Sequence, residues 1–303
     1  MTSASSVTRV ASGTFRWADE RGPAAVVRSV VTASAASDGL DPLDEATLLR
    51  LRHRGLEGSD LWVTGTDGFA WLHDGALDLV VAPSARGRGL GDLLAAAAVP
   101  ASGSLTAWSH GNHPAAAALA PRFGLRRVRD LWVMRRSLSD LPPPAGVAAD
   151  PTVDVRPFRV GADEDAFLAV NAAAFAHHPE QGRMTRADLD ARIAEPWFDP
   201  AGFFLAWRGE ELLGYHWTKV HREPAGHFGE VYVVGIAPTA QGGGLGRLLT
   251  LTGLHHLASQ GLSEVILYVE SDNAPAVAVY ERLGFTHAAS DTHVMYARAG
   301  DAG

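Results

Sequence analysis

Two short stretches of this chain have residue types that could hold an anion. The first, "VAPSARGRGLGDLLA", runs from Val81 to Ala95, and the second, "IAPTAQGGGLGRLLT", from Ile236 to Thr250. Each reads as the end of an apolar strand, then Ala-Pro, a glycine-rich turn and an apolar helical run. A strand that passes through such a turn into a helix leaves backbone N–H groups pointing outward, and the helix dipole favours negative charge there. Glycine removes the Cβ atoms that would keep a phosphate at a distance. "QGGGLG" is neither the dinucleotide fingerprint G-x-G-x-x-G nor the P-loop G-x-x-x-x-G-K-[ST]. No lysine follows to reach a terminal phosphate, which argues against a nucleotide triphosphatase.

The turns need elements to hold them, and the sequence supplies these twice. Arg86 to Gly91 matches Gln241 to Gly246 at an offset of 155, and "NHPAAAALAPRFGL" (Asn112 to Leu125) matches "NAPAVAVYERLGF" (Asn273 to Phe285) with one extra residue in the first copy. Internal repetition of this kind marks duplicated units. The halves end in the strand-like stretches "LRRVRDLWVMRRSL" and "THAASDTHVMYAR". Between them lies "SLSDLPPPAGVAADPT", Ser137 to Thr152, whose three consecutive prolines continue neither a helix nor a central strand. The boundary is expected near residue 145, with domains at 1–141 and 152–303.

In the second half the pattern predicts helices near Asp163–Phe175 and Thr185–Glu195. Strands follow at "GFFLAWR", "ELLGYHWTKVH" and "GEVYVVGIAP". A helix from about Gly244 to Gln260, strand "EVILYV", helix "APAVAVYERL" and a last strand complete a mixed α/β pattern.

Composition narrows the classes. A length of 303 residues makes two domains the default. With no cysteine there is no disulfide, thiolate ligand or cysteine nucleophile. A net charge of −8 argues against nucleic acid as a partner. The opening "MTSASSVTRVASGTFRWADERG" lacks the pattern of a signal peptide, and no apolar run is long enough to span a membrane. A soluble cytoplasmic protein is expected. Thirteen histidines invite a metal reading. But the side chains of the adjacent pairs His177-His178 and His255-His256 diverge, and no H-E-x-x-H occurs. Most histidines are expected at the surface, and no metal is expected.

At this point the residues resemble the GCN5-related N-acetyltransferases. Both "QGGGLG" and "RGRGLG" look like the [QR]-x-x-G-x-[GA] loop that binds the pyrophosphate of acetyl-CoA in that family. "YVESDNAPAVAVYERLGF", Tyr268 to Phe285, is similar to the family's next motif: an asparagine after a strand, a helix with a tyrosine, then Leu-Gly-Phe. "AFAHHPEQG" (Ala174–Gly182), "WFDP" (Trp197–Pro200), "GYHWTKVH" (Gly214–His221) and "GEVYVVGIAP" (Gly229–Pro238) resemble tandem members that acetylate the cysteinyl amine of Cys-GlcN-Ins. The implied fold is two tandem acyltransferase domains, each a central mixed, mostly antiparallel sheet flanked by helices.

The resemblance also implies a site. Acetyl-CoA, the co-substrate, would lie along Val234, Gly235 and Ile236. It would continue over the turn Gln241, Gly242, Gly243, Gly244, Leu245, Gly246 and Arg247. It would then meet the helix start at Asn273, Ala274, Pro275, Ala276, Val277 and Ala278. The first-half counterparts are Leu79, Val80 and Val81 with Gly87, Arg88, Gly89, Leu90, Gly91 and Asp92. Glu45, Glu180, Lys219, Glu230 and Tyr268 would line the acceptor site.

Acetyl transfer to an amine needs a neutral nucleophile, a polarised thioester, a proton acceptor and a proton donor. An α-amino group has a pKa of ~8 in water, so a modest base suffices. By the match Glu230 is the base, directly or through a water, and a backbone N–H near Val234–Ile236 polarises the thioester carbonyl. Tyr280 is the acid for the departing thiolate.

The two copies are not expected to be equivalent. Ala120 falls opposite Tyr280, and the residue opposite Glu230 falls near Gly75, with Asp78 close by. Arg86 and Arg88 keep positive charge on the first loop. The first half is expected to bind acetyl-CoA without catalysing. A monomer is expected, because a tandem pair supplies internally the pairing that single-domain relatives obtain by dimerising. Two other readings stay open: acetylation of a different small-molecule or peptide amine, and a non-catalytic acyl-CoA-binding module.

Overall fold

A computed structural model describes residues 6–99, 103–143, 151–176, 181–223 and 226–298. In the first half the elements are β1 (Thr8–Val10), α1 (Pro23–Asp38), α2 (Glu45–Arg54), β2 (Ser59–Val63), β3 (Gly68–His73), β4 (Ala76–Val81), α3 (Leu90–Ala98), β5 (Thr106–Ser109), α4 (Pro114–Leu119) and β6 (Leu125–Ser137). The second half carries β7 (Val153–Pro157), α5 (Glu164–Ala174), α6 (Arg186–Ile193), β8 (Phe203–Arg208), β9 (Glu211–Glu223), β10 (Gly226–Ile236), α7 (Leu245–Ser259), β11 (Glu264–Glu270), α8 (Ala274–Arg282) and β12 (Thr286–Arg298). The strands and helices expected from periodicity in the second half all form, within a few residues of their expected ends.

Contacts divide the chain into two compact units. One holds Met1–Trp132, Glu270–Asp272 and Ala288–Gly303; the other holds Val133–Val269 and Asn273–His287. The strands of the first unit run in the order β1-β2-β3-β4-β5-β12. Those of the second run β6-β11-β10-β9-β8-β7. Each sheet is mostly antiparallel with one parallel step, β4 on β5 in the first and β10 on β11 in the second. The strand beside each parallel pair comes from the other half of the sequence. β12 pairs with β5 from Val294↔Ser109 to Ala297↔Thr106. At the end of β6, Leu138 N–H donates to Ser263 O before β11 at 2.9 Å.

In the second unit, β9 alternates between two faces, as a strand must. Tyr215 and Trp217 point to one side, into an aromatic core with Phe158, Phe167, Phe203 and Leu189, all buried. Phe203 stacks on Trp217 at 4.6 Å and on Phe158 at 4.5 Å. The Tyr215 hydroxyl donates to Asn171 Oδ1 of α5 at 2.6 Å. The opposite face meets α7, where His216 Nδ1 donates to Leu249 O at 2.8 Å and Thr218 Oγ1 donates to Gly202 O at 2.7 Å. His216 is fully buried, and that burial pushes its pKa down to about 4.

Caps and ion pairs fix the helices on the first of these faces. Thr185 and Asp188 form a reciprocal capping box at the start of α6. Asp163 before α5 receives both Nη atoms of Arg156 on β7, at 2.7 and 2.8 Å. The guanidinium holds that carboxyl below its ordinary range.

The histidines depart from their expected place at the surface. His216 and His293 are buried, and His255 and His256 are half-buried on α7. His255 Nε2 donates to Pro142 O at 3.0 Å, while the neighbouring His256 lies 3.6 Å from Asp199. An imidazole is mostly carbon, so a single satisfied nitrogen lets it sit in a core.

Gly253 shows which effect governs the α7 face. A Cβ there would lie 2.2 Å from His216 Cε1, on a ring that is itself buried and hydrogen-bonded. Alanine in a helix interior gains about 1 kcal/mol over glycine, but overpacking a filled core costs about 1–3 kcal/mol. Gly253→Ala is therefore expected to lower the thermal unfolding midpoint, despite its better helix propensity. Calorimetry of the two proteins checks this; a raised midpoint would contradict the packing described.

Candidate active site

The site grows from a defect in β10. Its antiparallel register with β9 runs Glu230↔Lys219, Val231↔Thr218, then Val233↔Trp217, so Tyr232 is an extra residue, a β-bulge. On its other edge β10 pairs in parallel with β11 only from Gly229↔Val265 to Val231↔Leu267. Past the bulge the two parallel strands part. The backbone of Val234, Gly235 and Ile236 therefore continues along β9 while its other edge faces the gap. That is where the resemblance places the thioester arm.

The gap leads into the glycine-rich turn. A short 3₁₀ turn, Pro238–Ala240, follows β10, and Gln241 Nε2 donates back to Ile236 O at 3.5 Å. Gly242 and Gly244 have φ of +85° and +81°, in the left-handed region that favours glycine. Gly244 is the N-cap of α7, and nothing lies within 4 Å of where Cβ atoms would stand on Gly242 or Gly243. Exposed backbone N–H groups and open space at a helix N-terminus fit a pyrophosphate. Leu245 is buried beneath the turn as its anchor, while Gly246 and Arg247 begin the helix. Asn273 caps α8, its Oδ1 accepting from Ala276 N–H at 3.2 Å, with Ala274, Pro275, Val277 and Ala278 in the first turns.

Of the expected acceptor-site and catalytic residues, four of the described ones lie in this unit. Glu230 and Lys219 are direct cross-strand partners, so both side chains leave the same face of the sheet. Glu230 pairs in register with Ile266, and Tyr268, two residues on, shares that face. Tyr268 is exposed. Lys219 does not simply face solvent: its ammonium lies 4.4 Å from the Trp197 ring centre and 5.5 Å from that of Tyr232. These distances are in the cation–π range. The Tyr232 hydroxyl in turn accepts from Arg192 Nε of α6 at 3.1 Å.

Glu230 is buried, 6% exposed, although it is a carboxylate. A buried charge needs a partner. His221 Nε2 donates to Glu230 Oε2 at 2.6 Å. Local pattern does not single out His221; its one signal is the two-residue spacing from Lys219 on a strand, which puts both on one face. Tyr280, on α8, packs edge-on against Phe285 at 5.8 Å. Burial pushes its pKa up to about 12, so the phenol stays protonated at neutral pH and can donate. Glu180 lies outside the described residues.

The first unit contains the remaining expected residues. Glu45 begins α2, behind the N-cap Asp44, where a carboxylate is favoured by the helix dipole. Leu79, Val80 and Val81 end β4, and a 3₁₀ turn, Pro83–Ala85, leads to Gly87 and Gly89, both left-handed. Leu90, Gly91 and Asp92 start α3, with Asp92 2.7 Å from Arg122.

The positive charge expected on this loop is largely committed elsewhere. Arg86 binds both carboxylate oxygens of Asp38 at 2.7 and 2.8 Å, and Arg88 donates to Ser84 O at 2.8 Å. The Arg86 hydrogen bonds hold the Asp38 carboxyl below its usual range. Allowing for the bulge at Tyr232 moves the residue opposite Glu230 from Gly75 to Ala76, which still offers no carboxylate. Asp78 instead meets His73 Nε2 at 2.8 Å, and burial raises its pKa. Ala120, opposite Tyr280, opens a 3₁₀ turn after α4.

Known proteins resemble this chain over most of its length. A model of the acetyltransferase (GNAT) family matches residues 171–285. A mycothiol acetyltransferase from Nocardioides sp. is 55% identical over 290 residues, covering 90% of this chain and 97% of its own. One from Catenulispora acidiphila is 49% identical over 301 residues, covering 90% and 94%. Among solved structures, a tandem GNAT protein from the clavulanic acid biosynthesis pathway has a TM-score of 0.71 at 21% identity, covering 96% of this chain and 98% of its own. A GCN5-related N-acetyltransferase from Sphaerobacter thermophilus has a TM-score of 0.62 at 24% identity, covering 90% and 91%. The two structures show the shared fold.

The raised phenol pKa has a measurable consequence. Below the ordinary value of 10.0 the desolvated neutral phenol of Tyr280 is fully favourable; between that value and about 12 the unfolded chain loses its proton first, and stability falls. In an alkaline ultraviolet titration, Tyr280→Phe is expected to remove a tyrosinate rise centred near pH 12. Removal of a rise near pH 10 instead would mean that the hydroxyl is not buried.

Proposed function

The chain belongs to the mycothiol acetyltransferases of the GNAT family and is an acetyl-CoA-dependent N-acetyltransferase of mycothiol biosynthesis; we propose that its acceptor is the cysteinyl amine of Cys-GlcN-Ins and that Glu230 and Tyr280 carry the proton transfers. The observation that carries the reading is the buried carboxylate of Glu230. It lies on the same sheet face as Lys219 and Tyr268, one residue before the strands part.

Acetyl-CoA supplies the activated acetyl thioester. Val234, Gly235 and Ile236 offer backbone groups along the gap, and the turn Gln241–Gly246 offers N–H groups to a pyrophosphate. Glu230 takes the proton from the acceptor ammonium, which frees the nitrogen lone pair to attack the acetyl carbon. The carbon–sulfur bond then breaks, and Tyr280 gives its proton to the sulfur. The products are the acetamide and free CoA; the second nitrogen proton leaves as the intermediate collapses and returns through solvent to the Tyr280 phenolate, and Glu230 passes its proton to solvent. A hydroxyl that holds its proton up to about 12 acts here as donor rather than base. The acceptor carries sugar and inositol hydroxyls, which Lys219 and Tyr268 bind by hydrogen bonds.

Catalysis is assigned to 152–303, and the N-terminal domain, 1–141, to binding acetyl-CoA without turnover. One feature supports the absence of turnover there: Ala120 stands where Tyr280 stands in the second copy. The protein is assigned as a cytoplasmic monomer. Among the described residues no helix is long and apolar enough to cross a membrane.

Mass spectrometry of the acceptor after incubation with acetyl-CoA tests the reading. One acetyl group is expected on the amine of Cys-GlcN-Ins. Glu230→Gln and Tyr280→Phe are each expected to lower kcat by roughly 10²-fold, the usual size of a general acid or base contribution. Acetyl transfer to a different amine, with CoA released and Cys-GlcN-Ins unmodified, would move the acceptor elsewhere within the family's chemistry. Full activity of either variant would remove that residue's role.

A further inference from the structure

We infer that His221 is the positioning residue for Glu230, locking its carboxylate in the orientation that presents Oε1 to the acceptor amine. The inference rests on the reading of Glu230 as the base and adds a residue to it. Glutamate has three side-chain torsions, and strand pairing fixes only its Cα and Cβ. Something must fix the rest if one oxygen is to meet the acceptor reproducibly. The contact of 2.6 Å between His221 Nε2 and Glu230 Oε2 does so. A carboxylate accepts, so the imidazole proton is on Nε2, and Oε2 is taken.

His221 is itself held. It lies opposite Phe228 in the β9–β10 register and stacks on that ring at 4.6 Å with 17° between the planes. The contact to Glu230 is therefore a diagonal across two paired strands, between residues whose backbones are both fixed. The two side chains are 17% and 8% exposed, so little water competes for the bond. Lys219, the direct cross-strand neighbour of Glu230, has its ammonium over Trp197 and Tyr232. A nucleophile or base oriented by a third group is the arrangement that acyl-transfer sites use to set geometry before reaction.

The first unit provides an internal control. His73 lies opposite Ala76, and its Nε2 is 2.8 Å from Asp78, two residues further along β4. That is the same diagonal as His221 to Glu230, in the copy where Ala120 replaces the candidate acid. If such a pair served only to tie two strands together, removing either one would have similar consequences.

The experiment measures kcat and KM for both substrates in five variants. His221→Phe keeps the stack on Phe228 and loses the N–H donor; His221→Gln restores a donor near the Nε2 position. His221→Phe is expected to lower kcat by ~10-fold or more, with KM for acetyl-CoA unchanged, and His221→Gln to recover most of that loss, as for an orienting group that acts through a base. In the Glu230→Gln background, His221→Phe is expected to cost nothing further, because the two act as one unit. His73→Phe, in the half assigned no turnover, is expected to leave kcat within about twofold. Full kcat in His221→Phe alongside an inactive Glu230→Gln would overturn this inference and leave the base assignment standing. Equal losses in His221→Phe and His221→Gln, with lowered unfolding midpoints, would overturn it in favour of a purely structural pair. An active Glu230→Gln would instead remove the base reading on which it rests.

Discussion

The second unit depends on a parallel contact only three residues long. β10 and β11 hold each other from Gly229 to Val231 against Val265 to Leu267, and then separate at the bulge of Tyr232. On the paired side of that point stands Glu230, rigid because its strand is bonded on both edges. Beyond it are Val234 to Ile236, whose second edge is open. A regular strand could not provide both. If β10 stayed paired to its end, the backbone groups that an extended thioester arm would use would be consumed by β11. If it parted earlier, Glu230 would lose its fixed place. The extra residue at 232 sets the border between the rigid and the open part.

The groups assigned to proton transfer owe their chemistry to how each is buried. Tyr280 sits where ionisation is unfavourable and keeps its proton to about pH 12. Glu230 is also buried, but beside an imidazole that donates to it, so the charged form has a partner. His216 shows the other outcome on the α7 side of the sheet. There burial pushes the imidazole down to about 4, and the ring serves as a neutral core residue with one hydrogen bond to Leu249 O. Three residues that titrate in water thus have distinct roles, set by what lies within hydrogen-bond reach.

Much of this was legible in the sequence, for identifiable reasons. The glycine turns announced themselves because positive φ at Gly87, Gly89, Gly242 and Gly244 leaves glycine as the natural choice. Strands such as "ELLGYHWTKVH" and helix α7 followed from periodicity. What local pattern could not express was pairing. Both "LRRVRDLWVMRRSL" and "THAASDTHVMYAR" read correctly as strands, yet nothing in either says that β12 joins β5. Such a choice is made by contacts far apart in sequence. The bulge was hidden as well, since "GEVYVVGIAP" is apolar almost throughout after Glu230 and has no polar alternation for an extra residue to break. That moved the counterpart of Glu230 by one residue, from Gly75 to Ala76. His221 was visible in the right strand, but its importance lies in a diagonal contact that needs the register. The first loop also looked more positively charged than it is, because the partner of Arg86 is Asp38, far back at the end of α1.

The central claim is that the opened edge of β10 and the turn after it receive acetyl-CoA. Amide hydrogen exchange of the intact protein, with and without acetyl-CoA, tests this without requiring an acceptor or turnover. The account predicts slowed exchange at Val234 to Ile236 and at Gly242 to Gly246, with little change in the already paired segment Gly229 to Val231. Unchanged exchange across β10 and its turn, under conditions where acetyl-CoA is shown to bind, would contradict the account and place the co-substrate elsewhere.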